Sequence, residues 1–132
     1  MKFTPYLTFN GTAKAALTFY QKVLGGSLNI NTAQELFHPE DHAIGHLIVH
    51  GVLTVNDHLQ ISALDVIPGA PAVQPGHTVS MGLTFHNIVT ASSIFEKLAE
   101  NGKVIIKFAP KDWGGTFGII EDQFGVRWNI SA

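Results

Sequence analysis

Four histidines occur at every fourth position in one stretch of the sequence, at His38, His42, His46 and His50. On a helix this spacing would place four imidazoles along one face, where they could act as metal ligands. The stretch favours a strand instead, because a proline and two glycines interrupt it and its second half is rich in Val and Ile. On a strand, side chains four residues apart lie about 13 Å from each other, too far to share one zinc ion. We therefore do not expect these histidines to chelate a metal as a strand pair.

His50 is the one histidine of this stretch for which the sequence suggests chemistry. It lies in the middle of the expected strand, on the same face as Ile48 and Val52. An imidazole gains or loses a proton near neutral pH and can act as a general acid or base. The alternative is a half-buried, hydrogen-bonded histidine with a structural role. His38 and His42 are expected in a solvated loop.

The sequence lacks the residues that several other kinds of catalytic site require. The sequence contains no cysteine, which excludes a disulfide framework, a thiolate metal site and a thiol nucleophile. The adjacent pairs Glu40-Asp41 and Glu121-Asp122 would point apart on a strand, so turn roles are expected for them. No serine lies in a glycine-flanked elbow, and no glycine-rich phosphate loop precedes a helix.

Composition narrows the possible partners. The chain has 132 residues, a formal net charge of −2 and 45% hydrophobic residues, which is enough for one small core. Because no Lys/Arg cluster is present, a nucleic-acid partner is not expected. No apolar run approaches the roughly 18 residues of a membrane span, and the sequence opens on a strand pattern without a signal peptide. We expect a cytoplasmic protein that does not bind membranes.

The elements that must position His50 come from an internal repeat. Leu7-Thr8-Phe9 returns as Leu83-Thr84-Phe85. At the same offset, five residues of the first half recur in the second: Ala15, Phe19, Gly26, Ile30 and Ala33 return as Ala91, Phe95, Gly102, Ile106 and Ala109. A strand, a helix and a glycine-ended turn that recur in order indicate a repeated supersecondary unit. We expect the two copies to share a core and to form a cleft.

Periodicity extends each copy to a βαβββ module. Each first strand alternates in polarity, and each is followed by apolar residues at helical spacing, with Gly25-Gly26 and Asn101-Gly102 as helix stops. Further strands are predicted at Ser27–Leu36, Gly45–Val55, Leu59–Leu64, Lys103–Phe108, Gly115–Glu121 and Val126–Ser131. The modules span residues 1–65 and 77–132, and the Pro/Gly-rich residues 65–76 are interpreted as the linker.

The C-terminal stretch is the most specific part of the sequence. It contains Trp-Gly-Gly-Thr-Phe-Gly at 113–118 and Asp-Gln-Phe-Gly-Val-Arg-Trp at 122–128. Together with Pro5–Phe9 and the Phe-Tyr-x-x-Val-Leu-Gly-Gly of 19–26, it resembles the PhnB-like branch of the glyoxalase/bleomycin-resistance/dioxygenase (vicinal oxygen chelate) superfamily over nearly the whole chain. The resemblance implies an α+β domain of residues 1–132 with paired βαβββ modules, the glyoxalase/bleomycin resistance/dihydroxybiphenyl dioxygenase fold, and commonly a homodimer.

Enzymes of that superfamily usually hold a divalent metal with four His/Glu side chains, on the first and last strand of each module. Alignment on the Leu-Thr-Phe strands puts Thr4, or its neighbours Pro5 and Tyr6, and Ser80 at the first-strand positions. The last-strand positions fall on Asn129 in the second module and on Gln60 or Ser62 in the first. Neutral oxygens suit Ca²⁺ or Mg²⁺ only alongside carboxylates. We therefore expect neither the usual metal site nor another cofactor.

The polar strand faces then define a predicted ligand cleft between the modules. Its lining residues are Tyr6, Thr8, His50, Gln60, Ser80, Arg127 and Asn129, with Trp113 at the mouth. Arg127 is the cation expected on these faces and could bind a carboxylate or phosphate, or could instead extend into solvent. Trp113 could stack on a ligand, whereas Trp128 is expected in the core.

Three functions remain open from the sequence. The first is a metal-independent protein that binds or sequesters a small organic molecule. The second is a lyase, isomerase or dioxygenase of the same superfamily with a displaced divalent metal, built on His50. The third is a dimeric interaction module with a vestigial cleft. Proteins of this resemblance are also described as demethylubiquinone methyltransferases. We give this function little weight, because the sequence has no glycine-rich nucleotide-binding loop.

Overall fold

Each half of the chain folds as a strand, a helix and three further strands. The structure is a computed structural model that describes residues 1–132, and it divides into two units, Met1–Gln74 and Pro75–Ala132. The predicted α+β class and its two βαβββ modules are confirmed. None of the helices is both long and apolar enough to span a membrane.

The first unit contains one four-stranded sheet. Its strands are β1 (Tyr6–Phe9), β2 (Ser27–Thr32), β3 (Ile48–Thr54) and β4 (Gln60–Asp65), in the spatial order β1-β4-β3-β2. Strand β1 runs parallel to β4, and the other pairs are antiparallel. The helices are α1 (Ala13–Leu24), the short α2 (Ala33–Phe37) and a 3-10 turn at His42–Ile44. The chain therefore leaves the sheet between β2 and β3 and returns to it.

The second unit repeats this topology. Its strands are β5 (Met81–Thr84), β6 (Lys103–Pro110), β7 (Thr116–Glu121) and β8 (Arg127–Ser131), in the order β5-β8-β7-β6, with the parallel pair again between the first and last strands. Helix α3 (Ile88–Leu98) begins at Asn87, whose side chain accepts hydrogen bonds from the Val89 and Thr90 amides. Two of the four orphan donors of the first helical turn are thus satisfied.

The buried helix faces follow the expected spacing with a small shift in phase. In α1 the buried residues are Ala13, Ala16, Leu17, Tyr20 and Val23. In α3 they are Ala91, Phe95 and Leu98. Trp128 is fully buried, as predicted, and its indole N–H donates to the Asp122 carboxylate at 2.8 Å. Asp122 also accepts from the Phe124 and Val126 amides and so closes the β7–β8 turn.

Two glycines at matching positions of the repeat have the same structural reason. A Cβ on Gly26 would collide with the carbonyl oxygen of Thr54, and a Cβ on Gly102 would collide with that of Glu121. Each glycine follows a helix and begins a strand that passes close to the end of its neighbour. The repeat in the sequence therefore reflects a repeated backbone approach that excludes a side chain.

One predicted strand is too long. The strand expected over Ser27–Leu36 ends at Thr32, because Ala33–Phe37 forms helix α2. The Thr32 hydroxyl accepts from the Glu35 amide at 3.2 Å and caps this helix, a signal that competes with the apolar residues of the segment. The helix ends at His38, which adopts a left-handed conformation with φ of 46°.

Candidate functional site

The strand register places most of the predicted first-unit residues on one polar sheet face. Across the sheet, Tyr6 lies beside Ser62, which lies beside Val52, and Gln60 lies beside Thr54. Directly paired residues project to the same side, as do residues two apart on a strand. The polar face therefore carries Tyr6, Thr8, Asn29, His50, Val52, Thr54, Gln60, Ser62 and Leu64. The opposite face packs against α1.

Tyr6 and His50 form the central contact of this polar face. The Tyr6 hydroxyl lies 2.7 Å from Nδ1 of His50, across the intervening strand β4, and the two rings are tilted at 42° with centroids 6.0 Å apart. Both side chains are exposed, so His50 is not the half-buried histidine considered from the sequence. The hydrogen bond engages one ring nitrogen and leaves Nε2 without a protein partner.

This arrangement gives the imidazole two usable states. If the Tyr6 hydroxyl donates to Nδ1, the proton lies on Nε2 and His50 presents a donor. If Nδ1–H donates to the tyrosine oxygen, Nε2 presents a lone pair that can accept a proton. The pair can therefore bind either a donor or an acceptor on a ligand, and it can move a proton at Nε2.

A bulge in strand β3 sets the direction in which His50 points. Asn31 pairs with His50, but the next residue, Thr32, pairs with Ile48, so Val49 is the extra residue. The bulge returns Ile48 to the helix-packed face, where it is 1% exposed, while His50 stays on the polar face. Such bulges commonly re-aim a side chain beside a functional site.

The buried carboxylate of Asp65 fastens this bulge. Its Oδ2 accepts from the Ile48 amide and its Oδ1 accepts from the Ala13 amide at the start of α1, both at 2.9 Å. Asp65 is 3% exposed and is the last residue of β4. The carboxylate of Asp65 thus links β4 to α1 and to β3. Its contact with β3, at Ile48, lies two residues from His50. Sequence reasoning placed Asp65 at the start of the linker and missed this role.

The remaining predicted residues of the first unit lie at the two ends of the polar face. Gln60 donates from Nε2 to the Thr54 hydroxyl at 3.3 Å, and its Oε1 accepts from the Lys2 ammonium. Thr8 is exposed on β1, two residues beyond Tyr6. Gln60 is therefore held by protein contacts, whereas Thr8 presents its hydroxyl to solvent.

In the second unit, Arg127 lies on the polar face opposite Glu121. The two residues are direct partners across β7 and β8, with Arg127 Nε 3.5 Å from Glu121 Oε1. This distance is at the limit of a hydrogen bond, so the contact is mainly one of charge. No protein group bonds the two terminal NH₂ groups of the guanidinium. Arg127 is therefore oriented by Glu121 and keeps its bidentate end available.

Glu121 is the centre of a charge cluster that the sequence analysis did not assign. Lys103 Nζ lies 3.2 Å from its Oε2, and His77 Nδ1 lies 3.8 Å from its Oε1. Partial burial raises the pKa of Glu121, but the hydrogen bond and charge of Lys103, then those of Arg127, outweigh it and hold the pKa below its ordinary value of 4.5. Arg127 is thus not the only cation near this face. The sequence contained one signal for this contact, because the Asp122–Gly125 turn places Glu121 opposite Arg127.

The other second-unit predictions fall in different surroundings. Asn129 pairs with Gly82 and Ile119 on the same face as Arg127 and is partly exposed. Ser80 is exposed just before β5 begins. Trp113 lies in the turn between β6 and β7, is 73% exposed, and contacts the Phe117 ring edge to face with centroids 6.1 Å apart.

The donor set near His50 does not fit the metal that the superfamily resemblance implies. The polar side chains nearest to it on this face, Tyr6 and Ser62, supply neutral hydroxyl oxygens. The chain contains no group of three or more His, Cys, Asp or Glu side chains arranged to hold a metal ion. We derive no chemical step through a metal.

Comparison with known proteins agrees with the fold. The family described as 3-demethylubiquinone-9 3-methyltransferase matches residues 1–131. The chain is 28% identical to protein YjdN of Escherichia coli over 148 residues, covering 100% of this chain and 95% of YjdN.

Three solved structures are similar over almost their whole length. Protein PA1353 from Pseudomonas aeruginosa is 31% identical with a TM-score of 0.87, covering 98% of this chain and 95% of that one. A PhnB protein from Bacillus cereus, described as a putative 3-demethylubiquinone-9 3-methyltransferase, is 22% identical with a TM-score of 0.75, covering 98% and 97%. A glyoxalase/bleomycin resistance protein from Albidiferax ferrireducens shares the fold with a TM-score of 0.67. The chain therefore belongs to the 3-demethylubiquinone-9 3-methyltransferase family, and its fold is that of PhnB-like and glyoxalase/bleomycin resistance proteins.

Proposed function

We propose that this protein binds a small organic molecule on the polar face of its first sheet, with His50 and Tyr6 as the central contacts. The observation that carries the proposal is the 2.7 Å contact between Tyr6 Oη and His50 Nδ1. It fixes an exposed imidazole while leaving Nε2 free. A ligand that bonds to Nε2 does not have to pay for ordering the ring, which favours affinity.

The surroundings of His50 favour a planar ligand with polar edges. The tilted rings of Tyr6 and His50 offer an aromatic surface, and Thr8, two residues beyond Tyr6 on β1, adds an exposed hydroxyl. Flat apolar surface with a few oriented polar groups is the usual composition of a small-molecule site.

Arg127 and Asn129 are proposed as contacts for an anionic group. Their support is the free end of the Arg127 guanidinium and the weak contact that orients it. A charge-assisted hydrogen bond contributes about 1.5–3 kcal/mol, enough to orient a weakly bound carboxylate or phosphate. We therefore propose this anion contact for the second sheet by itself, separately from the Tyr6–His50 face. On the first sheet, the Nε2–H of His50 can donate to the carboxylate of a planar organic anion in the same way.

A proton-transfer enzyme is the second candidate, and the same Tyr6–His50 contact favours it. An imidazole held by a phenol can take a proton from a bound molecule and return it. Methyl transfer is not part of our proposal. A dinucleotide-type fold carries a glycine-rich loop between its first strand and helix, whereas the three-residue connections at 10–12 and 85–87 contain one glycine and none.

The proposal is tested with benzoate and its neutral counterpart benzamide as probes, measured by calorimetry. We expect benzoate to bind more tightly than benzamide, and His50→Gln to weaken benzoate at least about tenfold, the loss of one good hydrogen bond. His58→Gln is the matched control, because His58 is exposed in the β3–β4 turn away from this face. If His50→Gln and His58→Gln bind benzoate equally, the proposed site is wrong.

A further inference from the structure

A cavity lies on the other side of the first sheet, where the chain leaves β2 and returns to β3. It has a volume of about 130 Å³ and is lined almost entirely by apolar atoms. The walls come from α2, the 3-10 turn, the start of β3 and the segment after β4, and they include Ala33, Phe37, Ile44, Ile48, Val49 and Ile67.

This cavity is separate from the Tyr6–His50 face. Ile48, which lines it, lies on the helix-packed side, since its Cγ2 is 3.4 Å from the point where a Cβ on Gly51 would lie, next to Leu17 of α1. The Val49 bulge separates Ile48 from His50. A ligand in the cavity would therefore occupy space that the proposed anion site does not use.

The cavity walls are held by hydrogen bonds of the protein itself. The Ala33 amide donates to the Leu47 carbonyl at 2.8 Å and the Gln34 amide to the Gly45 carbonyl at 2.9 Å, which fastens the neck of the excursion between β2 and β3. On the opposite wall, the Val66 amide donates to the Phe9 carbonyl at 2.8 Å. A preformed cavity lowers the cost of binding.

The opening of the cavity is unusually apolar for a protein surface. Phe37 is 66% exposed and Ile67 is 61% exposed, and both belong to its lining. Asp65 also borders the cavity, but both of its oxygens are engaged by backbone amides, so the cavity offers little polarity of its own. Burial of an uncharged apolar group at this surface is therefore favourable, whereas a charged group would have no polar partner there.

We infer that this cavity binds a single uncharged hydrocarbon ring, with Phe37 and Ile67 at its opening. The size supports this class of ligand, because an apolar protein cavity of about 150 Å³ takes up benzene. A two-ring molecule is too large for the cavity. A charged molecule finds no polar partner among the apolar walls. The inference goes beyond the proposed function, since it concerns a different face and a different ligand class.

The test uses toluene as the probe and protein labelled with ¹³C at the isoleucine methyl groups. We expect toluene to shift the Ile44 and Ile48 methyl signals saturably, with a dissociation constant below about 1 mM, while the Ile130 methyls of the other unit stay unchanged. Absence of these shifts in toluene-saturated buffer would overturn the inference.

Two variants locate the binding. Phe37→Ser should weaken toluene about fivefold or more through loss of a wall, and its exposure makes the substitution compatible with folding. Leu36→Ser is the matched control, because Leu36 is 51% exposed on the same helix but does not line the cavity, and we expect less than a twofold change. Equal loss in both variants would contradict the inference. So would a smaller sedimentation coefficient for Phe37→Ser alone, which would assign the cavity to a contact between copies. Benzoate binding that depends on His50 can fail independently of toluene binding.

Discussion

The Tyr6 hydroxyl and Nδ1 of His50 lie 2.7 Å apart on an exposed sheet face, although 44 positions separate the residues in the sequence. Strand β4 lies between their strands, so the contact depends on the order β1-β4-β3 of the sheet. The relationship combines a fixed imidazole with a free Nε2. Any binding or proton transfer on this face should depend on it.

Tyr6→Phe should release His50 from a single orientation. Without the phenol oxygen, Nδ1 loses its partner, and the two neutral tautomers should become more equally populated. Because both side chains are exposed, we expect the free energy of unfolding to change by less than about 1 kcal/mol. Long-range ¹H–¹⁵N spectra of the imidazole measure the tautomers, and an unchanged ratio would show that the hydrogen bond does not orient the ring.

Asp65→Asn should be strongly destabilising. An amide can accept only one of the two backbone hydrogen bonds that Asp65 accepts, and its NH₂ would face another donor in a buried position. We expect a loss of about 2–3 kcal/mol in unfolding free energy, measured by urea denaturation. Asp41→Asn is the control, since exposed Asp41 accepts a single amide bond from Ala43, which an asparagine can also accept. Similar losses in the two variants would contradict the fastening role of Asp65.

The Glu121 cluster should make the protein less stable in acid. Because Lys103 and Arg127 hold the pKa of Glu121 below 4.5 in the folded state, the unfolded state binds a proton more readily. The stabilisation is therefore present above the unfolded pKa and is lost as the pH falls through the lower, folded pKa. Glu121→Gln should lower Tm at pH 7 and reduce the loss of Tm between pH 5 and the most acidic pH at which the protein still folds. Glu100→Gln, at an exposed position after α3, should leave the pH profile unchanged.

Gly26→Ala and Gly102→Ala should each destabilise the protein by about 2 kcal/mol or more, since a methyl group at either position meets a backbone carbonyl that cannot move aside. Gly76→Ala is the control. It has no positive φ and open space around it, so the substitution should be neutral or slightly stabilising. Thermal unfolding of the three variants measures the difference, and equal midpoints would remove the structural explanation of the repeated glycines.

We expect the protein to form a homodimer. Strand β6 lies at a sheet edge, and its Val104, Ile105 and Ile106 are 51%, 38% and 39% exposed. An open edge with apolar side chains is a surface that a second copy can cover. Sedimentation velocity at micromolar concentration should give a dimer that Ile105→Lys weakens and Val79→Lys, at an exposed position outside the strands, does not. A monomer at all concentrations would refute the expectation.

The sequence predicted the elements well because their signals are local. Alternation and helical spacing located the eight strands and the helices α1 and α3, and the Asp122–Gly125 turn located the last hairpin. Helix α2 was missed because Thr32 can cap a helix as well as end a strand, and only the structure decides between these roles.

The site was harder to predict because it depends on pairings between distant strands. Alternation put Tyr6 and His50 on polar faces, but it could not show that they touch. The internal repeat contained a signal for the Glu121–Arg127 contact. These two residues pair beside the hairpin turn of the second unit, as Thr54 and Gln60 do in the first. The role of Asp65 joins three elements and had no local signal.

The ¹⁵N signal of His50 Nε2 during a titration with benzoate reports ligand contact at this nitrogen. We predict a saturable shift of this signal, with the dissociation constant found by calorimetry, and loss of the shift in Tyr6→Phe, while the His58 signals stay fixed. Benzoate binding measured by calorimetry without any movement of the His50 Nε2 signal would show that the ligand does not bind at the Tyr6–His50 face.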